Sequence, residues 1–228
     1  ADVSAEDVYS NVVDRYRRSV AILDTLDGEN AYILDIFRVK GGSKHDYSIH
    51  GPRGEFSVEG ISLPPVQTKG TLAGEDIPFG TLYDDPVMKN PAFTGPFSGY
   101  KGSGFGYLFN VQKAKGQDIW SATWDLKDGM KSRLRMIFLG EDDEIVVADG
   151  EPPKKYRDVP ESLKYILRRR EGSESTFVTL IESYRDKPFI KGARIIGNHE
   201  TAVVLRVDYE GKRDYIIQDI EPSHLRSF

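Results

Sequence analysis

The chain has 228 residues, 39% hydrophobic and 11% aromatic, enough to bury a sizeable core in one large β domain or two small ones. Its 31 basic and 36 acidic side chains give a formal charge of −5, which argues against a nucleic-acid-binding domain or a surface for anionic membranes. Cysteine is absent, so disulfides and zinc–thiolate sites are excluded. No apolar run approaches the roughly 20 residues that span a bilayer. We therefore expect a soluble chain with no signal peptide and no membrane partner.

The strand signals begin after residues 1–7, which are small and acidic and are expected to fray. Apolar and polar residues alternate along Ser19–Leu23, and the strongest strand signal follows at Ala31–Val39. Both faces of this second segment are mostly apolar, which is typical of a strand that lies between two layers. Gly41–Gly42 can adopt the positive φ angles of a tight turn. We therefore expect the chain to return as Lys44–His50 in an antiparallel hairpin, the third strand of a meander.

A long segment, from residue 60 to 106, breaks this alternation with glycine and proline. Loops longer than about 12 to 15 residues are uncommon inside compact domains. The segment also carries several aromatic residues, including Phe79, Tyr83, Tyr100 and Phe105. A disordered linker would lack them, so we interpret the segment as an ordered excursion that covers an edge or a face of a sheet.

Beyond the excursion, short strand signals separated by turns continue to the C-terminus. The predicted strands are Tyr107–Gln112, Ile119–Leu126, Ser132–Leu139, Glu144–Ala148, Tyr165–Arg170, Thr176–Tyr184, Ile190–Gly197, Ala202–Tyr209 and Arg213–Gln218. Many short strands without helical patterns between them argue for a β-sandwich and against βαβ units. We predict an all-β, multi-stranded antiparallel sandwich formed by residues 1–228 as a single domain, with 60–106 as its long ordered Gly/Pro-rich excursion.

The closest pair of histidines, His45 and His50, is the first candidate for a site. Side chains five residues apart point to opposite faces of a strand, and the four-residue separation of Asp46 and His50 spans about 13 Å. Ligands lie only about 2 Å from a metal ion, so neither pair can hold one ion, and we predict no metal site in this chain. A hydrogen bond to backbone beside a turn explains each histidine more simply. At most one of them faces a cleft.

Buried charges are a second group of candidates. Asp35 shares a strand face with apolar residues, so we expect it to be tied to a neighbouring strand or to loop amides. The acidic cluster Glu141–Glu144 has the residue types of a calcium site, but a turn with solvated charges explains it more simply. Strand alternation places Arg168 and Arg170 on one face and Arg169 on the other, so the three do not form one basic patch.

Aromatic side chains provide the candidate sugar-stacking surfaces. One surface is the end of the excursion, with Tyr100, Phe105 and Tyr107. The other is the pair Trp120 and Trp124, which share one strand face, although core packing is the simpler explanation for at least one of them.

Two blocks of residues carry a resemblance to a known family. The first block contains Tyr16–Ser19, Tyr32–Val39, Gly41–Gly42 and His45–Gly51, and the second contains Leu163–Tyr165, Arg168–Arg170, Thr176–Val178 and Ile181–Tyr184. Together they resemble the later β region of the heparinase II/III-like polysaccharide lyases, across most of the chain. The first block is the more specific, whereas the second occurs in many sandwiches.

That family joins an N-terminal (α/α) toroid to a C-terminal antiparallel β-sandwich and cleaves acidic polysaccharides by β-elimination where the two meet. Elimination requires neutralisation of the uronate carboxylate, a base for the C5 proton and a proton donor for the leaving oxygen. In the family most of these groups come from the toroid, and a histidine-rich segment near the start of the sandwich supports a metal. His45–His50 lacks the spacing of that segment. The resemblance therefore implies no catalytic residue and no cofactor in this chain, although the parent family can carry a structural zinc.

The resemblance also implies the partners and the role of the chain. The expected partners are an acidic polysaccharide and the N-terminal toroid of a larger, periplasmic or secreted parent protein. In that protein this chain would form one wall of the substrate cleft. Alone it is expected to be inactive. The residues predicted to contact substrate are His45, Tyr47, His50, Tyr100 and Phe105. The alternatives are a non-catalytic carbohydrate-binding module and a purely structural sandwich.

Overall fold

The structure is a computed structural model that describes residues 1–9, 11–26, 28–90, 92, 95, 100, 102–152 and 159–220. Its regular structure is almost entirely β, which confirms the predicted fold class. The strands are β1 (Asp2–Ser4), β2 (Arg15–Asp24), β3 (Ala31–Lys40), β4 (Lys44–His50), β5 (Glu55–Glu59), β6 (Leu108–Ala114), β7 (Ile119–Asp125), β8 (Arg133–Leu139), β9 (Glu144–Gly150), β10 (Leu163–Glu171), β11 (Glu174–Tyr184), β12 (Ile190–Asn198), β13 (Ala202–Tyr209) and β14 (Lys212–Asp219). None of the described residues belongs to a helix long and apolar enough to cross a membrane.

The strands form three antiparallel sheets. The central sheet has seven strands in the order β1-β2-β3-β11-β8-β7-β5, the outer sheet has four in the order β4-β10-β9-β6, and the C-terminal sheet has three in the order β12-β13-β14. Most observed strands agree with the predicted ones to within two or three residues. Two strands were not predicted: β1, formed by residues expected to fray, which pairs with β2, and β5, which pairs with β7.

The middle of the central sheet is buried on both faces, and β3 shows why. Leu34 and Ile36 pack with Leu205 of the C-terminal sheet in one core cluster. Phe37 points the other way and packs with Ile166 of the outer sheet in a second cluster. Since successive side chains of a strand alternate between faces, an apolar run on both parities suits a strand between two layers. This part of the prediction is confirmed.

The described part of the excursion covers the outer face of the outer sheet, which agrees with the prediction that it covers an edge or a face of a sheet. Leu72 packs with Leu167 in a third core cluster. Two backbone hydrogen bonds tie the segment to β6: the amide of Gln67 donates to the carbonyl of Val111 at 2.9 Å, and the amide of Leu72 donates to the carbonyl of Leu108 at 2.8 Å. The described part of the excursion therefore adds a fourth layer and contains no strand of its own.

The predicted hairpin between Ala31–Val39 and Lys44–His50 is wrong. In the structure β3 lies between β2 and β11 in the central sheet, whereas β4 pairs with β10 in the outer sheet. Because both edges of β3 are occupied, the chain crosses to the next layer instead of pairing back. Gly41 and Gly42 permit this change of direction with φ angles of 108° and 80°. Of the predicted three-strand meander only the pairing of β2 with β3 forms, and β1 on the other side of β2 completes an antiparallel run of three.

The acidic turn between β8 and β9 also differs from the prediction, because Asp142 is buried rather than solvated. Its carboxylate accepts hydrogen bonds from Nε of Arg168 at 2.7 Å and from Nε of Arg170 at 2.9 Å. Arg168 is fully buried and also donates to the carbonyl of Val178 at 2.9 Å. The predicted split of the arginines between two faces is confirmed. The two that point inward, Arg168 and Arg170, both bind Asp142 and hold it in the core.

Candidate functional site

A cleft of about 490 Å³ opens on the outer face of the outer sheet, between that sheet and the end of the excursion. Residues of β4 and β10 form its floor, while the end of the excursion and the residues that follow β9 form its walls. Three aromatic rings and several polar side chains line it, including Asp46, Ser48, Ser103, Phe105, Tyr107 and Tyr165. Clefts with this mixture of aromatic and polar groups are typical binding sites.

Strand register explains how the floor of the cleft is assembled. In the antiparallel pairing of β4 with β10, His50 lies opposite Tyr165, and Asp46 lies opposite Arg169. Directly opposed residues share one face of a sheet, so all four side chains project towards the excursion. The rings of His50 and Tyr165 have centroids 5.0 Å apart. His50 is therefore next to the cleft through its contact with Tyr165.

Arg169 connects the floor of the cleft to its aromatic wall. Its Nε and Nη2 donate to the two carboxylate oxygens of Asp46 at 2.7 and 2.9 Å, and its Nη1 donates to Glu144 at 2.9 Å. The hydrogen bond to Asp46 raises the pKa of Arg169 above its ordinary value. The guanidinium carbon lies 5.7 Å from the centre of the Phe105 ring, within cation–π range. Phe105 is thus positioned by a charge that is itself held by two carboxylates.

Tyr100 supports the loop that carries Phe105. Its hydroxyl donates to Asp84 at 2.5 Å and accepts from the amide of Gly104 at 3.4 Å, while the amide of Ser103 donates to the other oxygen of Asp84 at 2.8 Å. Burial, together with the hydrogen bond to Asp84, raises the pKa of Tyr100 to about 12. The phenol is therefore protonated at neutral pH and serves as a fixed donor.

The other histidine of β4, His45, points into the protein. Its ring nitrogens lie 2.8 Å from the Ser175 hydroxyl and 2.6 Å from the carbonyl oxygen of Gly41. The side chain is buried, so the structure places the two histidines on opposite faces, as strand parity predicts. Of the two, His50 is the one beside the cleft.

Tyr47 also points between the central and outer sheets. Its hydroxyl donates to Asp35 at 2.8 Å, and the guanidinium of Arg18 on β2 donates to both oxygens of the same carboxylate at 2.9 and 2.5 Å. Burial raises the pKa of Tyr47. The expectation that Asp35 is tied to neighbouring strands is confirmed, and Tyr47 belongs to that tie rather than to the cleft lining.

Both tryptophans are core residues. Trp120 and Trp124 are 1% and 0% exposed and lie in the cluster between the central and outer sheets. Trp120 stacks on Phe138 with ring centroids 4.2 Å apart. Neither indole ring is available to a ligand on the surface.

The structure therefore separates the predicted contact residues. Phe105 lines the cleft, His50 adjoins it and Tyr100 supports its wall, whereas His45 and Tyr47 lie behind the sheet. Sequence reasoning missed the lining residues Asp46, Ser48 and Tyr165. Strand parity already places Asp46 and Ser48 on the face of His50, but no local signal identifies β10 as the neighbour that supplies Tyr165.

The described residues contain no group of three or more histidines and carboxylates arranged to hold a metal ion. No family model matches the chain, and no curated protein matches it. Membership of the heparinase II/III-like lyases stays a prediction from sequence resemblance.

Proposed function

We propose that the chain is the β-sandwich part of a heparinase II/III-like polysaccharide lyase and that its outer-sheet cleft binds a sugar chain as one wall of the substrate cleft. The observation that carries the proposal is the presence of Phe105, Tyr107 and Tyr165 in one open cleft with Asp46 and Ser48. Aromatic faces stack on the apolar faces of sugar rings, and polar side chains bind sugar hydroxyls. The two blocks of sequence resemblance support the lyase assignment.

The chemistry of the cleft explains why the chain is expected to be inactive alone. Elimination from a uronate requires a cation that neutralises the substrate carboxylate. Arg169 is the cation beside Phe105, and its Nε, Nη1 and Nη2 are all engaged by Asp46 and Glu144. A toroid domain would supply the neutralising cation and the acid and base groups.

A second candidate function is favoured by the charge of the lining. Among the described lining residues, the ionisable side chains other than tyrosines are the carboxylates Asp46 and Glu151. Asp46 is already paired with Arg169, so the described lining offers no free cation to a uronate. This lining suits an uncharged sugar, as in a carbohydrate-binding module that acts without a toroid.

Affinity electrophoresis on neutral and acidic glycans tests both functions. Replacement of Phe105 by alanine removes a stacking ring worth about 0.5–1.5 kcal/mol, so retention is expected to weaken about 2- to 12-fold. Tyr215→Ala is the matched control, because Tyr215 is 62% exposed on β14 of the C-terminal sheet. Retention by this control is expected to equal that of the unmodified chain.

The outcomes separate the functions. Retention on uronate-containing glycans supports the lyase wall, and retention on neutral glycans alone supports the binding module. Failure to retain any glycan contradicts both and favours a purely structural sandwich. A continuous rise of unsaturated product from a uronate polysaccharide, catalysed by this chain alone, would contradict its inactivity.

A further inference from the structure

Three charged side chains form a row across the outer sheet beside the cleft. Arg169 on β10 lies opposite Asp46 of β4 and opposite Glu144 of β9. Directly opposed residues share one face of a sheet, so all three side chains lie on the face that the excursion covers. The guanidinium of Arg169 donates to both carboxylates, to Glu144 through Nη1 at 2.9 Å. One positive charge is thus shared between two negative charges.

Asp46 covers the fork of this guanidinium. Nε and Nη2 of an arginine form a pair of parallel donors that fits both oxygens of one carboxylate. In the structure these two donors lie 2.7 and 2.9 Å from the carboxylate oxygens of Asp46, which is itself one of the residues that line the cleft. The carboxylate of Asp46 therefore occupies the position on Arg169 that the carboxylate of a bound uronate would take.

Two further contacts hold Arg169 in place independently of Asp46. Glu144 accepts from Nη1, and the ring of the lining residue Phe105 lies 5.7 Å from the guanidinium carbon. The side chain of Arg169 is 15% exposed, so solvent screens its charge less than that of an arginine on the open surface. Without the carboxylate of Asp46, a positioned cation would face the vacated part of the cleft, next to an aromatic ring.

We infer that Asp46 is a specificity-determining residue, which restricts the outer-sheet cleft to an uncharged sugar unit by occupying the fork of Arg169. The inference rests on the proposed binding of a sugar chain in this cleft, and it holds for both candidate functions. In a binding module the ligand would be a neutral glycan. In a lyase wall the cleft would take a neutral unit of a polysaccharide in which such units alternate with uronates, while the toroid would neutralise the uronate.

Matched pairs of tetrasaccharides test the inference, because the members of each pair differ only in the group at C6. The pairs are the tetramers of galacturonate, glucuronate and mannuronate, each compared with its carboxyl-reduced counterpart. Titrations followed by amide chemical shifts give each dissociation constant and locate the ligand, with the largest shifts expected at Ser48 and Ser103. The unmodified chain is expected to bind the reduced member of at least one pair more tightly than the uronate member.

Asp46→Ala is expected to move the ratio of the two dissociation constants at least about tenfold towards the uronate member, because Arg169 gains a charge-assisted bond to the ligand. Asp46→Asn keeps one oxygen on Arg169 and is expected to move the ratio less, in the same direction. Asp208→Ala is the matched control. Asp208 also accepts hydrogen bonds from two arginines, Arg206 and Arg213, but it lies on β13 of the C-terminal sheet, and its loss is expected to leave the ratio unchanged.

Three results overturn the inference alone: equal or tighter binding of the uronate member of every pair by the unmodified chain, an unchanged ratio in a folded Asp46→Ala variant, and an equal change of the ratio in Asp208→Ala. Where circular dichroism shows that Asp46→Ala does not fold, an unchanged ratio in Asp46→Asn overturns it. Absence of saturable binding of every tetrasaccharide by the unmodified chain contradicts the proposed sugar binding and the inference together, so the two failures are distinguishable.

Discussion

Replacement of Asp142 by asparagine removes the counter-charge of Arg168. Both side chains are 0% exposed, and the two carboxylate oxygens accept one hydrogen bond from Arg168 and one from Arg170, at 2.7 and 2.9 Å. Asparagine has a single carbonyl oxygen, so its NH₂ group would face one of these donors. The guanidinium stays protonated at neutral pH, which leaves a buried charge uncompensated.

Breaking a buried ion pair in this way costs about 3–5 kcal/mol of unfolding free energy. For a chain of this size each kcal/mol corresponds to about 2–4 °C, so the melting temperature is expected to fall by about 6–20 °C.

Urea unfolding followed by far-UV circular dichroism measures this loss, provided that the m value is unchanged. Glu141→Gln is the matched control, because Glu141 is an exposed acid in the same turn and its loss is expected to change the unfolding free energy by less than about 0.5 kcal/mol. A difference of less than about 1 kcal/mol between the two variants would refute the conclusion that Asp142 balances a buried charge.

Three further predictions concern other parts of the chain. His45→Ala removes two buried hydrogen bonds and is expected to lower the unfolding free energy by about 1–3 kcal/mol with glycan retention unchanged, so a loss of retention in a stable variant would contradict its structural role. Gly51→Ala places a methyl group against the Trp124 ring, and a cost of about 1–3 kcal/mol is expected in urea unfolding followed by tryptophan fluorescence; a neutral effect would show that this contact relaxes. The hydrogen bond from Arg17 lowers the pKa of Asp2 below its ordinary value. The stability that the Asp2–Arg17 pair contributes is therefore present above the unfolded pKa of Asp2 and is lost as the pH falls through its lower folded pKa. Carbon-13 NMR titration of the Asp2 carboxyl should show this lowered pKa. Asp2→Asn should reduce the loss of unfolding free energy at acidic pH. An unshifted pKa of Asp2 would contradict the ion pair.

The layered fold was largely predictable from alternation, but the partners of each strand were not. The two apolar parities of Ala31–Lys40 indicate a strand between layers because burial acts on each side chain locally. Gly41 and Gly42 indicate a turn because the freedom to adopt positive φ is likewise a local property of the residue. Whether Lys44–His50 pairs back depends on β11, which arrives more than 120 residues later and occupies the remaining edge of β3. The residues of a hairpin and its turn carry no information about β11, the strand that pairs with β3 in its place.

The candidate site follows the same division. Parity separates His45 from His50 correctly, since it depends only on strand geometry. The neighbour of His50 in the cleft, Tyr165, is contributed by a distant strand, and the wall residue Phe105 is positioned by Arg169 through a contact between segments. The burial of Asp142 does not follow from its neighbours in sequence, because these are acidic and indicate a solvated turn, whereas the buried arginine that binds it lies on β10.

Amide shift mapping during titration with the best-retained oligosaccharide tests most directly whether the outer-sheet cleft binds a sugar chain. The largest shifts are expected at Ser48, Ser103 and Tyr165, and Phe105→Ala is expected to reduce them at equal ligand concentration. Shifts confined to the C-terminal sheet, or no saturable shift with any glycan, would contradict binding at this cleft.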